Sequence, residues 1–116
     1  MTEPQEGIAS FGQLDLGWEI QKALEKMGYL KPTPIQAMAI PAALEGRDIF
    51  GQARTGTGKT AAFAIPVLEG LTDRRPRYPK ALILAPTREL ATQIQDEMRK
   101  IGEFKKTRVM AVVGGR

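Results

Sequence analysis

The chain predicts an α/β fold, helices packed on a parallel sheet, and three observations carry that prediction. Apolar strand-like runs alternate with stretches at helical period between residues 48 and 113. A glycine-rich loop ending in Lys59-Thr60 stands between the first of these runs and the helix that follows. The run Ala81-Leu82-Ile83-Leu84-Ala85 is continuously apolar, the composition of a strand buried on both faces. Strand–helix–strand–helix–strand in this order means parallel strands joined by right-handed crossovers.

Residues 1–10 read as a disordered tail, and residues 11–116 as the folded unit. Asp15 is expected to cap a helix over roughly 17–27, with Trp18, Ile20, Ala23, Leu24 and Met27 making its apolar contacts. Gly28 stands where a helix commonly stops. Lys31-Pro32-Thr33-Pro34 is a stiff extended turn, because each proline pushes its predecessor away from helix. A second helix is expected to start near Pro34-Ile35, with Pro41 dividing it from a short turn that ends at Gly46. Asp48 to Ala53 reads as a strand, and Gly58 to Leu71 as a helix with Pro66 as a candidate kink. After the strand at 81–85, Thr87 is expected to cap a helix with Leu90, Ile94, Met98 and Ile101 on one face. Arg108 to Val113 reads as a third strand, followed by Gly114-Gly115. The basic stretch 74–80 is broken by two prolines and reads as a solvated loop between helix and strand. No internal repeat or low-complexity tract is present.

At 116 residues the chain is one domain or part of one. With no cysteine and no histidine, disulfide frameworks and cysteine–histidine zinc sites are excluded. The first residues lack the basic start and apolar core of a signal peptide, and no apolar run approaches a membrane-spanning length. The expectation is a soluble, cytoplasmic protein. The net charge of +4 is unevenly spread. Residues 1–50 carry four Lys/Arg against seven Asp/Glu, whereas residues 51–116 carry thirteen against six. Such an asymmetry fits a side that faces a polyanion, or ordinary solubilising charge; composition alone does not choose.

The loop carries the chemistry. Glycine at positions 56 and 58 lets the backbone approach phosphates closely, and the amides opening the helix favour bound negative charge. Arg54, Thr55, Gly56, Thr57, Gly58, Lys59 and Thr60 are therefore the candidate nucleotide-binding residues. Lys59 is placed to reach the outer phosphates of a nucleoside triphosphate, and the Thr60 hydroxyl to ligate a bridging Mg²⁺. The usual motif opens with glycine where this chain has Ala53, a change that leaves the amides from 56 to 60 intact.

Two further segments flank this loop: Gly28-Tyr29-Leu30-Lys31-Pro32-Thr33-Pro34-Ile35-Gln36 before it and Pro86-Thr87-Arg88-Glu89-Leu90-Ala91 after it. Together the three resemble the DEAD-box family of ATP-dependent RNA helicases, over nearly the whole chain from Phe11 to Gly115. Phe11, seventeen residues before Gly28, matches an isolated aromatic of that family. The resemblance implies a P-loop, RecA-like three-layer sandwich with a parallel sheet. It also implies that Gln36 and Tyr29 read adenine with Phe11 supporting the pocket. A glutamine amide matches the donor–acceptor edge of adenine, and an aromatic ring can stack on its face. It further implies that Pro86, Thr87, Arg88, Gly114 and Gly115 meet an RNA backbone with little sequence preference. Lys59 and Thr60 are the implied catalytic pair, with ATP and Mg²⁺ as cofactors.

No Asp-Glu-Ala-Asp sequence occurs, nor the family's Ser-Ala-Thr segment or a second RecA-like domain. The expectation is an N-terminal part of a helicase domain whose central strands are missing. Such a chain would bind ATP or ADP weakly, hydrolyse it slowly or not at all, and not unwind RNA. Uncovered sheet edges predict instability, a rearranged sheet or self-association. Two other readings stand beside this one: a non-catalytic folding or self-associating module derived from a helicase domain, and a different P-loop ATPase using the same cradle.

Overall fold

The computed structural model describes residues 10–47, 58–71 and 80–114. These form a short 3-10 turn, Phe11–Gln13, and four helices: α1 (Trp18–Lys26), α2 (Pro34–Leu44), α3 (Lys59–Glu69) and α4 (Arg88–Ile101).

Helix α1 turns Ile20, Ala23 and Leu24 inward, a stripe at i, i+3 and i+4. Glu19 in its first turn and Lys26 in its last complement the helix dipole. Its cap is Gly17 and not Asp15, which is exposed. The Gly17 N–H donates to both carboxylate oxygens of Glu69, at 3.0 and 3.1 Å, so a side chain from the end of α3 closes α1. Trp18, expected in the core, is 64% exposed because it lies about 200° around the helix from Ile20. Beyond Met27, Gly28 takes the left-handed φ of 83°. The Tyr29 N–H then donates to the Leu24 carbonyl and the Gly28 N–H to that of Glu25, which closes the helix in a Schellman motif.

Helix α2 opens with a reciprocal capping box. The Thr33 hydroxyl oxygen accepts from the Gln36 N–H, and the Gln36 amide oxygen accepts from the Thr33 N–H. Pro41 does not divide this segment as expected. The helix runs through it to Leu44, forgoing the one N–H bond that proline cannot make, and Gly46 at φ 84° ends the turn. Pro66 likewise sits inside α3, which continues to Glu69. Alanines 61, 62 and 64 on α3 are buried beside Ile65 and Leu68, and their small side chains let α3 lie close to its neighbours. Helix α4 follows its expected pattern, with the Thr87 oxygen accepting from the Leu90 N–H at 3.1 Å and Ile94, Met98 and Ile101 buried. The core lies where α1, α3 and α4 meet, with Phe11, Leu14 and Ile40 joining it.

The expected strands fare differently. The segment 48–53 lies outside the described residues. Residues 81–85 and 108–113 form no ladder among the described residues, so the parallel sheet is not seen there. Both segments nevertheless show the two-residue alternation of half-buried extended chain. Ile83, Ala85 and Val109 pack against the helical core, while Leu82, Leu84, Met110 and Val112 are 77–84% exposed. The run 81–85 is thus covered on one face and not on both. Among the described residues, 109–111 are held by side chains of α4. Arg99 donates twice to the Val109 carbonyl (3.1 and 2.8 Å), and the Ala111 N–H donates to Gln95 Oε1 at 2.7 Å.

Candidate nucleotide-binding site

The described part of the candidate phosphate loop is its end. Gly58 caps α3 with φ 83°, and no side chain caps that helix. A Cβ at this position would lie 2.2 Å from Gln36 Nε2 and 3.2 Å from Thr33 Cγ2, so both conformation and space require glycine. Lys59 is exposed and Thr60 half-buried in the first turn. Arg54, Thr55, Gly56 and Thr57 lie outside the described residues.

Gln36 is buried at 3% exposure, and it connects the two halves of the site. Its Oε1 accepts from the Thr33 N–H at 2.9 Å, and its Nε2 donates to the Gly58 carbonyl at 3.0 Å. The turn at Thr33-Pro34, the start of α2 and the start of α3 are therefore joined through one amide. That amide retains one further N–H and one further lone pair for another partner.

Phe11 and Tyr29 form an offset stacked pair, with ring centroids 6.2 Å apart and planes at 28°. Phe11 is a core residue at 3% exposure. Its N–H donates to the Leu30 carbonyl, and its own carbonyl accepts from Gln21 Nε2 at 2.8 Å. Tyr29 is half-buried, and its hydroxyl donates to the Glu97 carboxylate on α4. Burial first, and then the Glu97 carboxylate beside it, push the Tyr29 phenol up to about 12. Glu97 had no signal in the sequence, being 68 residues from its partner. The Thr33–Gln36 capping box, by contrast, was readable as Thr-x-x-Gln.

The candidate RNA-facing residues lie on other segments. Pro86, Thr87 and Arg88 are exposed at the amino end of α4. Thr87 keeps its hydroxyl hydrogen available while its oxygen caps the helix. Gly114 is exposed with open space where a Cβ would stand. Gly115 lies outside the described residues.

A separate cleft of about 430 Å³ runs between α2 and α3, lined by Ile35, Ala39, Ala43, Phe63, Pro66 and Val67 among others, with Arg47 and Lys59 at its rim. It shares Lys59 with the phosphate site but includes none of Phe11, Tyr29 and Gln36. Its walls are mostly hydrocarbon, with Arg47 and Lys59 as its charged lining groups. Among the described residues no group of three acidic, histidine or cysteine side chains converges to hold a metal by itself.

Comparison with known proteins gives a consistent answer. A model of the DEAD/DEAH box helicase family matches residues 33–116. An ATP-dependent rRNA helicase from Eremothecium gossypii is 53% identical over 115 residues, which is 98% of this chain and 23% of that protein. A DEAD-box ATP-dependent RNA helicase from Geobacillus kaustophilus is 48% identical over 93% of this chain and 23% of its own length. The chain thus spans about a quarter of the curated relatives it matches. Among solved structures, an RNA helicase from Chaetomium thermophilum bound to ADP superposes with a TM-score of 0.85 at 41% identity, over 100% of this chain and 28% of that one. A DEAD box protein from the hyperthermophile Methanococcus jannaschii gives a TM-score of 0.77 at 43% identity, covering 84% of this chain and 26% of that one. These neighbours are consistent with the α/β P-loop fold. The chain belongs to the DEAD/DEAH box helicase family.

Proposed function

We propose that this chain is the nucleotide-binding part of an ATP-dependent RNA helicase, and that it holds an adenine nucleotide at the amino end of α3. The observation that carries this reading is the Gly58–Gln36–Thr33 connection: a left-handed glycine opens a helix with no side-chain cap, directly beside the one buried side-chain amide among the described residues. The first-turn amides of α3 present positive dipole to a phosphate. Lys59 adds a full charge there, able to reach the outer phosphates. Gln36, with one donor and one acceptor position still open, is suited to the adenine edge, and Tyr29 to its face.

Magnesium fits this arrangement as an ion held chiefly by phosphate oxygens and water, with the Thr60 hydroxyl as a protein ligand. When bound it would neutralise charge on the transferring phosphate. Thr87 and Arg88, at the exposed start of α4, would hold an RNA backbone through its phosphates, with affinity falling as salt rises. The relatives named as ATP-dependent RNA helicases support this assignment. In the parent protein the expected activity is RNA-stimulated ATP hydrolysis that opens short duplexes. The chain alone is expected to bind ATP or ADP weakly, without unwinding.

A second reading, a self-associating module, draws on the exposed row of Leu82, Leu84, Met110 and Val112. Uncharged extended segments of this kind pair readily with another chain. Calorimetric titration of ATP and of GTP with magnesium, on this chain and on Lys59→Ala, tests the leading reading. ATP binding that exceeds GTP binding and disappears in the variant is the expected result. Equal binding of both nucleotides would favour a P-loop site without adenine recognition, and no binding would leave the chain as a module without a working site.

A further inference from the structure

A hydrogen bond to the oxygen of a tyrosine fixes the direction of the ring axis but leaves the ring free to rotate about it. A second ring packed against the face removes that rotation. Tyr29 has both restraints: its hydroxyl donates to Glu97, and Phe11 stacks on its face. Phe11 is itself immobilised, buried in the core with its N–H on Leu30 and its carbonyl on Gln21. Glu97 reaches Tyr29 from a different element, since it belongs to α4, whose inward stripe of Ile94, Met98 and Ile101 anchors it to the core. The orientation of Tyr29 is therefore set by a tertiary contact, not by its own turn.

We propose that Glu97 is a positioning residue for adenine-nucleotide binding: it holds the Tyr29 ring in the orientation from which it meets the base, and so serves recognition of the base and not of the phosphates. This rests on the adenine site proposed above. It separates two roles that a merely structural contact would not separate, because a loosened fold weakens every ligand alike.

The test compares affinity for magnesium-ATP with affinity for magnesium and inorganic tripolyphosphate, which has no base. It uses the unmodified chain, Glu97→Ala, Tyr29→Phe and the double variant, each with a urea unfolding curve. Tyr29→Phe keeps the ring and removes the bond, so it decides the matter even if Glu97→Ala does not fold. The expected result is a loss of ATP affinity of about fivefold in either single variant, the worth of one net hydrogen bond. Tripolyphosphate affinity stays unchanged, and the double variant loses no more than the single ones. Glu97→Gln, which still accepts from the phenol, recovers most of the loss. Equal losses for both ligands, or no loss for either, would overturn the role of Glu97. If base preference is present and Gln36→Ala removes it while Glu97→Ala does not, the adenine site stands and only this inference falls. If the unmodified chain binds ATP no better than tripolyphosphate, the adenine site and Glu97's role fall together.

Discussion

Replacing Gln36 by alanine is expected to unsettle the fold as well as the ligand site, by an amount that the structure allows to be estimated. The side chain makes two bonds, to the Thr33 N–H at 2.9 Å and to the Gly58 carbonyl at 3.0 Å, from a position only 3% exposed. Each such bond contributes roughly 0.5–1.5 kcal/mol net, and each partner left unsatisfied away from water costs about 1–3 kcal/mol. Half of the α2 capping box goes with it, although Thr33 still accepts from the backbone of residue 36. The total comes to about 2–4 kcal/mol, since both partners are part-buried and water recovers some of the loss. At a urea slope of roughly 1–3 kcal/mol/M, the midpoint followed by far-UV circular dichroism should fall by about 1–2 M. Gln36→Glu should be no better. It keeps an acceptor for Thr33 but turns a carboxylate oxygen towards the Gly58 carbonyl. A Gln36→Ala midpoint unchanged within error would mean that the amide has no structural task. The same result bears on any nucleotide titration: loss of ATP binding in Gln36→Ala is informative only at a urea concentration where the variant remains folded.

Other perturbations have equally definite outcomes. Gly58→Ala should destabilise the chain by at least the roughly 1–2 kcal/mol of a left-handed non-glycine residue, because its Cβ also meets Gln36 Nε2 at 2.2 Å; a denaturation midpoint equal to the parent's would contradict this. Tyr29 is pushed up to about 12 in the folded chain, against about 10 for an unfolded tyrosine. Its contribution to stability is complete below the unfolded value and is lost as pH rises towards the folded one. Stability measured between pH 9 and 12 should therefore fall more steeply for the parent than for Tyr29→Phe, and parallel curves would exclude the effect. Thr87→Ala should cost about 1 kcal/mol through the lost α4 cap, measurable by thermal unfolding at low salt. Leu84→Lys with Val112→Lys, both at exposed positions, should leave stability within about 0.5 kcal/mol and reduce any association seen by sedimentation velocity; unaltered association would place the contact elsewhere.

What the sequence disclosed follows from which forces are local. Thr87 and the stripe from Leu90 to Ile101 define α4 through a cap and a 3.6-residue period, both written within fifteen residues. Gly28 ends α1 because only glycine takes its φ cheaply. Failures occur where a distant residue supplies the decisive contact. Asp15 is a good local cap, yet Glu69, 52 residues away, occupies the start of α1. Pro41 is a local helix breaker, yet α2 carries through it because Ile40 is fully buried and the helix packs along α3. The apolar run 81–85 signals burial on both faces, but burial on the second face depends on a neighbour and not on the run itself. For the candidate site, Lys59 and Thr60 are proposed from residue type and spacing, and Gln36 from the family resemblance. The engagement of the Gln36 amide by Gly58, and of Tyr29 by Glu97, was not legible, because both are products of tertiary packing.

The most direct test of the site is nuclear magnetic resonance on the ¹⁵N-labelled chain as magnesium-ATP is added. Early shifts are expected at the backbone amides of Gly58, Lys59 and Thr60 and at the side-chain amide of Gln36, whose second N–H would meet the base while the first stays on the Gly58 carbonyl. Shifts confined to Ala39, Ala43, Phe63 and Val67 would place the nucleotide in the apolar cleft between α2 and α3 and contradict the proposed site.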